Sequence, residues 1–181
     1  MEPRIVALDT ERLPALRHFL DALPEGDRTF IKEDVHDPAV AEGWVAEPGG
    51  LRSWVAVEES GAVVGLVSVR PLIGWSSHVG DLRLVVAPDR RGQGLGRALA
   101  RHALREAVAA GLEKVVVEVV AEQDGAVRMF TDLGFRGEAL LTCHIRDRSG
   151  ALRDLLVLAH EADEEWSAIA SLGVQDDLAA T

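Results

Sequence analysis

Residues 85–97 read Val-Val-Ala-Pro-Asp-Arg-Arg-Gly-Gln-Gly-Leu-Gly-Arg. An apolar run meets a proline, then two arginines, then glycine at every second position. A long helical period begins directly behind them. Strand, glycine turn and helix in this order reverse the chain at the end of a sheet strand and aim the first helical amides at the turn. Glycines let backbone amides crowd a ligand with no Cβ in the way. First-turn amides have no internal acceptor, and the helix dipole adds positive potential there. The combination suits a phosphate, and arginines add charge-assisted hydrogen bonds.

Two familiar phosphate loops fail on this segment. The P-loop needs Gly-Lys-Ser/Thr, and the chain has no such triplet. The dinucleotide fingerprint G-x-G-x-x-G/A places Arg97 at its last position when started from Gly92, and Leu99 when started from Gly94. The charge distribution nevertheless calls for an anion here. The chain sums to -11, which disfavours nucleic acid and anionic membranes as main partners. Within that acidic chain, residues 88–105 carry Arg90, Arg91, Arg97, Arg101 and Arg105 against Asp89 alone.

The rest of the pattern alternates strands and helices. Arg4–Leu8 reads as a strand and Thr10–Ala22 as a helix capped by Thr10. Residues 23–50 read as short helices and loops. Leu51–Val57 and Val63–Val69 flank a turn signal at Glu58-Glu59-Ser60-Gly61 and read as a hairpin. Asp81–Ala87 is a further strand, and Gly94–Ala110 a helix with Leu95, Leu99, Ala103 and Ala107 on one face. Lys114–Ala121 is a valine-rich run typical of a strand covered on both faces. Asp124–Asp132 is helical and ends at Leu133-Gly134. Ala139–Ile145 and Leu152–Ala159 form another hairpin, and Ala162–Leu172 reads as an acidic helix with a frayed tail after it. The expectation is an α/β (α+β) chain with a single mixed sheet, organised as residues 1–160 plus an acidic segment 161–181.

Arg91-Gly92-Gln93-Gly94-Leu95-Gly96 resembles the R/Q-x-x-G-x-G/A motif of the GNAT superfamily of N-acetyltransferases. Residues 125–135, from Gly125 through Phe130 to Gly134-Phe135, resemble that family's A-x-x-x-Y/F-x-x-x-G-F segment. The likeness covers roughly residues 50–160. It implies a sheet whose two central parallel strands splay apart, with acetyl-CoA as donor in the opening. Carried over by position, Arg91, Gly92, Gln93, Gly94, Leu95, Gly96 and Arg97 would hold the pyrophosphate. The backbone of Leu84, Val85 and Val86 would pair with the pantetheine arm like an added strand, and Gln123 and Phe130 would complete the donor site. The resemblance implies an N-acetyltransferase acting on a small-molecule or protein amine by direct attack in a ternary complex, and by family habit a homodimer.

Amine acetylation needs a base, because a lysine-like ammonium has a pKa near 10.4. Glu118 is the first candidate. Flanked by valines on both sides, it would have its pKa raised by desolvation, which suits a base near neutrality. It also falls where the ribosomal-protein alanine acetyltransferases of the superfamily carry a catalytic glutamate. Its competing reading is an ion pair with an arginine. Asp81 is the second candidate, and its competing reading is an ion pair with Arg83 two residues on. His144 and His78 come third. Cys143 reads as a small buried residue rather than a partner of His144. Phe130 stands where many family members place a proton-donating tyrosine, and the chain has no tyrosine at all. A catalytically weak or inactive acyl-CoA sensor is therefore the alternative to an enzyme. Asp34-Val35-His36-Asp37 does not have metal-site spacing, and no metal is expected.

The acceptor would enter between roughly residues 23–46 and 144–153. Acidic residues there, Asp27, Glu33 and Glu42 among them, would welcome a cationic amine, and Trp44, Trp54, Trp75 and Trp166 could line a pocket, with packing in the core or at a dimer seam the safer reading. One cysteine, no apolar run long enough for a membrane span and a charged start make a cytoplasmic protein the expectation.

Overall fold

The computed structural model describes residues 2–28, 31, 33, 35, 37–46, 52–147 and 149–162. Seven strands form one sheet: β1 Arg4–Ala7, β2 Arg52–Val57, β3 Val63–Pro71, β4 Val79–Val86, β5 Lys114–Val120, β6 Arg136–Arg146 and β7 Leu152–Glu161. Among the described residues five α-helices accompany them: α1 Leu13–Ala22, α2 Glu25–Arg28, α3 Pro38–Ala46, α4 Leu95–Ala109 and α5 Asp124–Asp132. The sheet order is β1-β2-β3-β4-β5-β7-β6. Every neighbouring pair is antiparallel except β4 with β5. The mixed sheet expected from the sequence is present. β7 inserts between β5 and β6, which a sequence pattern does not specify.

The parallel pair is short. β4 and β5 match only from Val79↔Lys114 to Leu82↔Val117. Beyond that point β4 keeps its partner β3 as far as Val86, and β5 keeps β7 as far as Val120. The two strands therefore part, and among the described residues no strand pairs with the β5-facing edge of Arg83–Val86. This is the splay that the resemblance implies.

Register divides the side chains of the central strands between two faces. Trp54, Val67, Leu82 and Val117 share one face, and α4 packs there through Leu99, Ala103 and Leu104, all fully buried. Trp54 stacks edge-on against His102 of α4. Gly65 permits the close approach of helix and sheet: a Cβ there would lie 2.7 Å from Leu99 Cδ1. The opposite face carries Leu66, Ser68, Arg70, Asp81, Arg83, Val116 and Glu118.

Three expectations shift in detail. The start of the first helix is a 3-10 turn over Thr10–Arg12, capped by Asp9 rather than Thr10. The Asp9 carboxylate accepts the Arg12 amide at 3.1 Å. Cys143 is exposed, not buried. It sits at φ +52 where β6 slips register against β7 between Leu141 and Ile145, and its amide donates to Asp154 Oδ1 at 2.8 Å. Trp75 is 97% exposed at the β3–β4 turn, outside the core. Trp166 and the expected acidic helix Ala162–Leu172 fall almost wholly outside the described residues, as do Asp34 and His36.

Candidate active site

The glycine segment does two separate things. Gly92 and Gly94 take φ values of +71 and +84, and a Cβ on either would meet nothing within 4 Å. They are required by backbone conformation, not by space. Gly94 is the N-cap residue of α4, and its carbonyl accepts the Ala98 amide at 3.0 Å. The amides of Leu95, Gly96 and Arg97 thus open α4 without an intrahelical acceptor. Gly96 has an ordinary helical φ, but a Cβ there would lie 3.3 Å from Met129 Sδ, 3.6 Å from Leu84 Cδ2 and 3.7 Å from Val86 Cγ2. It lets the first turn of α4 lie flat between β4 and α5.

A cleft of about 850 Å³ opens in front of this turn. Its walls include Leu84, Val85 and Val86 of β4, Arg91, Gly92, Gly94, Gly96 and Arg97 of the loop and helix, and Gln123 at the start of α5 with Met129 within it. The splay between β4 and β5 thus leads straight to the exposed amides of α4. An anionic head at the loop and an extended arm along the unpaired β4 edge both fit the cleft.

Gln93, Leu95 and Phe130 do not line this cleft. The Gln93 amide group donates to the Asp89 carbonyl at 2.8 Å and braces the turn. The Leu95 side chain is buried in the core. Arg91 lines the cleft, but its guanidinium is occupied: Nε and Nη2 donate to the Val86 carbonyl, both at 3.1 Å, and Nη2 also to Asp27 at 2.6 Å. It ties the end of β4 to α2. The Arg97 guanidinium lies 3.6 Å from Asp132 on α5, with both side chains largely exposed.

A second, smaller cavity of about 130 Å³ adjoins the cleft. Leu84, Val85, Glu118 and Gln123 border both. Its remaining walls include Glu33, Trp44, Ser68, Arg70, Asp81, Arg83 and Phe130. Glu118 thus stands where the two spaces meet. Its side chain is exposed, which corrects the expectation of a desolvated carboxylate. Val117, Val119 and Val120 around it are buried, and Glu118, just past Val117, the last residue of β5 paired with β4, instead opens onto the cleft.

Asp81 is 7% exposed and follows its competing reading. Its Oδ2 accepts from Arg83 Nε at 3.1 Å and lies 3.1 Å from Nη2 as an ion pair. Arg83 also pairs closely with Glu33, and Arg70 Nη1 stands 4.0 Å from the same Glu33 oxygen. Burial works against the Arg83 charge, but Asp81 and Glu33 together outweigh it and hold its pKa above the ordinary value. Phe130 is 2% exposed and stacks edge-on against Phe135. His144 lines the larger cleft. His78 precedes β4 at the opposite end from the loop, and its carbonyl accepts the Glu113 amide at 2.9 Å. Sequence reasoning missed Arg70, Ser68 and the role of Glu33. Their signal lies in strand register, which a single sequence does not print.

Residues 14–135 match the model of the acetyltransferase (GNAT) family. The chain belongs to this family. Its curated relatives include N-acetyltransferase 8F1 of Rattus norvegicus, 37% identical over 119 residues, or 63% of this chain and 52% of that protein. Human N-acetylaspartate synthetase is 34% identical over 115 residues, 60% of this chain and 36% of that protein. Mycothiol acetyltransferase of Nocardiopsis dassonvillei is 32% identical over 146 residues, 75% of this chain and 42% of that protein. The chain spans about half or less of the length of these relatives. Among solved structures, a GCN5-related N-acetyltransferase from Kribbella flavida superimposes with a TM-score of 0.74 at 24% identity, covering 88% of this chain and 97% of that one. A GNAT phosphinothricin acetyltransferase from Sinorhizobium meliloti, solved with AcCoA, gives 0.75 at 16% identity, covering 91% and 90%. These likenesses establish the fold. Among the described residues no helix is long and apolar enough to cross a membrane.

Proposed function

We propose that this GNAT domain transfers an acetyl group from acetyl-CoA to a primary amine within a ternary complex. One observation carries the reading. The unpaired β4 edge and the free first-turn amides of α4 face one cleft, which joins a polar cavity at Glu118. Acetyl-CoA supplies an activated acyl thioester.

The chain's own part divides by element. The amides of Gly92 to Arg97 bind the pyrophosphate, with no cation needed beyond the helix potential. The edge of β4 from Leu84 to Val86 orients the pantetheine by strand-like hydrogen bonds and offers an amide to the thioester carbonyl. Arg91 and Gln93 serve as braces of the loop, not as ligands. Glu118 takes the proton from the ammonium, directly or through water, at a point where solvent reaches it. Asp81 holds Arg83 in place and is a positioning residue. Departing thiols have a pKa near 8.5, so the leaving group needs no dedicated acid near neutrality.

Phe130 favours a second reading. Buried against Phe135 with no hydroxyl to give, it leaves the family's usual proton donor unfilled, as a domain that binds acyl-CoA without turnover would. A free-thiol assay with acetyl-CoA and a panel of amines separates the two. Acceptor-dependent thiol release that Glu118→Gln suppresses supports the enzyme. Tight donor binding with no thiol release from any amine supports the sensor.

A further inference from the structure

We infer that the acceptor is a compact amine with a single positive charge, its ammonium received by Glu33 and its apolar body by Trp44 and Ile31. This rests on the proposed acetyl transfer and names the substrate class of the same site.

Glu33 spends one carboxylate oxygen on arginines and leaves the other spare. Its Oε1 pairs closely with Arg83 and stands 4.0 Å from Arg70 Nη1. Its Oε2 is buried, and among the described residues no hydrogen-bond donor reaches it. Such an oxygen has lost water without a replacement, which is costly for a charged group. Glu33 borders the smaller cavity, so a donor arriving there supplies the missing bond. An ammonium is the best match: it has three donors, no acceptor, and a charge opposite to the carboxylate. One N–H on Glu33 leaves two others for Glu118, which borders the same cavity, or for water.

The charges around the cavity fix how many the acceptor brings. Glu33, Asp81 and Glu118 line it against Arg70 and Arg83, so the acids exceed the bases by one. This holds however these groups pair with one another. One cation neutralises the excess. A second ammonium would meet the two guanidiniums, and a carboxylate on the acceptor would add to the acids. The entrance acids are spoken for: Asp27 holds Arg91, and Glu42 holds Arg17.

Size and lining set the rest. The cavity is about 130 Å³, and an apolar cavity of ~150 Å³ is enough for benzene. Ser68 stands opposite Arg83 and Arg70 opposite Asp81 on β3 and β4, so all four side chains leave one face of the sheet as a polar floor. Trp44 of α3 and Ile31 line the same space, half-buried against the core. A charged floor with an apolar wall takes an ammonium on one and a single ring or short alkyl chain on the other.

The test uses pairs that differ in charge: phenethylamine with L-phenylalanine, and n-pentylamine with cadaverine. Thiol release from acetyl-CoA gives kcat and KM for each, and saturation-transfer NMR with CoA present gives binding. The monoamine of each pair should exceed its partner in kcat/KM by about ten- to a hundredfold, the range of a charge-assisted contact. Glu33→Gln keeps the shape and removes the charge. It should raise KM for both monoamines about tenfold with the acetyl-CoA Kd unchanged, and shrink the phenethylamine to L-phenylalanine ratio, because the carboxylate then meets no excess of acid. Each ratio is taken on one preparation, so partial misfolding cancels. Cadaverine or L-phenylalanine reacting as well as its monoamine overturns the inference and leaves the acetyltransferase standing. An unchanged monoamine KM in Glu33→Gln, or a fall in every rate with the ratio unmoved, also overturns it and makes Glu33 structural. Glu33-dependent monoamine binding without thiol release upholds the inference and overturns the proposed catalysis. If acetyl-CoA binds but no member of either pair binds or reacts, the inference is overturned.

Discussion

Gly94 and Gly96 lie two residues apart in one motif, yet alanine should lower stability at the first and not at the second. At Gly94 the backbone is left-handed, φ +84, with open space around the missing Cβ. Alanine there suffers only the conformational penalty of an L-residue, roughly 1–2 kcal/mol. At Gly96 the backbone is helical, and alanine gains up to about 1 kcal/mol of helix propensity. Against that gain stands a 3.3 Å approach to Met129 Sδ, the far end of a flexible side chain that can yield by a few tenths of an ångström. Gly94→Ala should therefore lower stability by about 1–2 kcal/mol and Gly96→Ala should be neutral or slightly stabilising. For a chain of this size each kcal/mol moves Tm by about 2–4 °C. Gly94→Ala should also weaken acetyl-CoA binding by about tenfold, the worth of one charge-assisted hydrogen bond lost as the first amides of α4 tilt. Thermal unfolding with calorimetry of donor binding reads both numbers. A Gly94→Ala protein as stable as wild type would refute the left-handed cap and the cradle built on it.

Glu118→Gln should lower kcat by about 10²–10⁴-fold with the acetyl-CoA Kd unchanged, since the side chain meets the donor only at the reacting end; steady-state kinetics and calorimetry check the split. His102, packed on Trp54, has a pKa held below its usual 6.5 by burial, with Glu106 opposing and Arg105 assisting. A depressed folded pKa contributes stability that is full above about 6.5 and lost as pH falls through the lower folded value. Tm should therefore drop on acidification below that point, and His102→Gln should flatten part of the drop. Phe130→Tyr aims a hydroxyl toward the smaller cavity and should change stability by no more than about 1–3 kcal/mol, the range for a polar group moved into a protein interior. If thiolate protonation limits turnover, kcat should rise in that variant, and an unchanged kcat would show that no acid is needed.

The fold was largely legible because its strongest signals are local. The valine run at Lys114–Val120 and the period of α4 each declare their own structure. The glycine loop was legible for the same reason: residues 92–96 are contiguous, and positive φ selects glycine directly. Glu118 shows where local reading stops. Valines on both sides implied desolvation, but the Glu118 side chain opens onto the cleft, a tertiary fact. Arg91 looked like a phosphate ligand by composition, and only the folded chain shows Val86 and Asp27 as its partners. The Arg70–Arg83 pair on the cavity floor arises from β3–β4 register and has no sequence-level mark.

The most direct test of the central claim is calorimetry of acetyl-CoA against acetyl-pantetheine, which keeps the thioester arm and lacks the pyrophosphate. If the α4 cradle holds the donor, acetyl-CoA binds saturably in the micromolar range and acetyl-pantetheine binds at least about a hundredfold more weakly, the loss of two or so charge-assisted hydrogen bonds. Equal affinity for the two, or no saturable binding of acetyl-CoA by the folded protein, would contradict the assignment of this cleft.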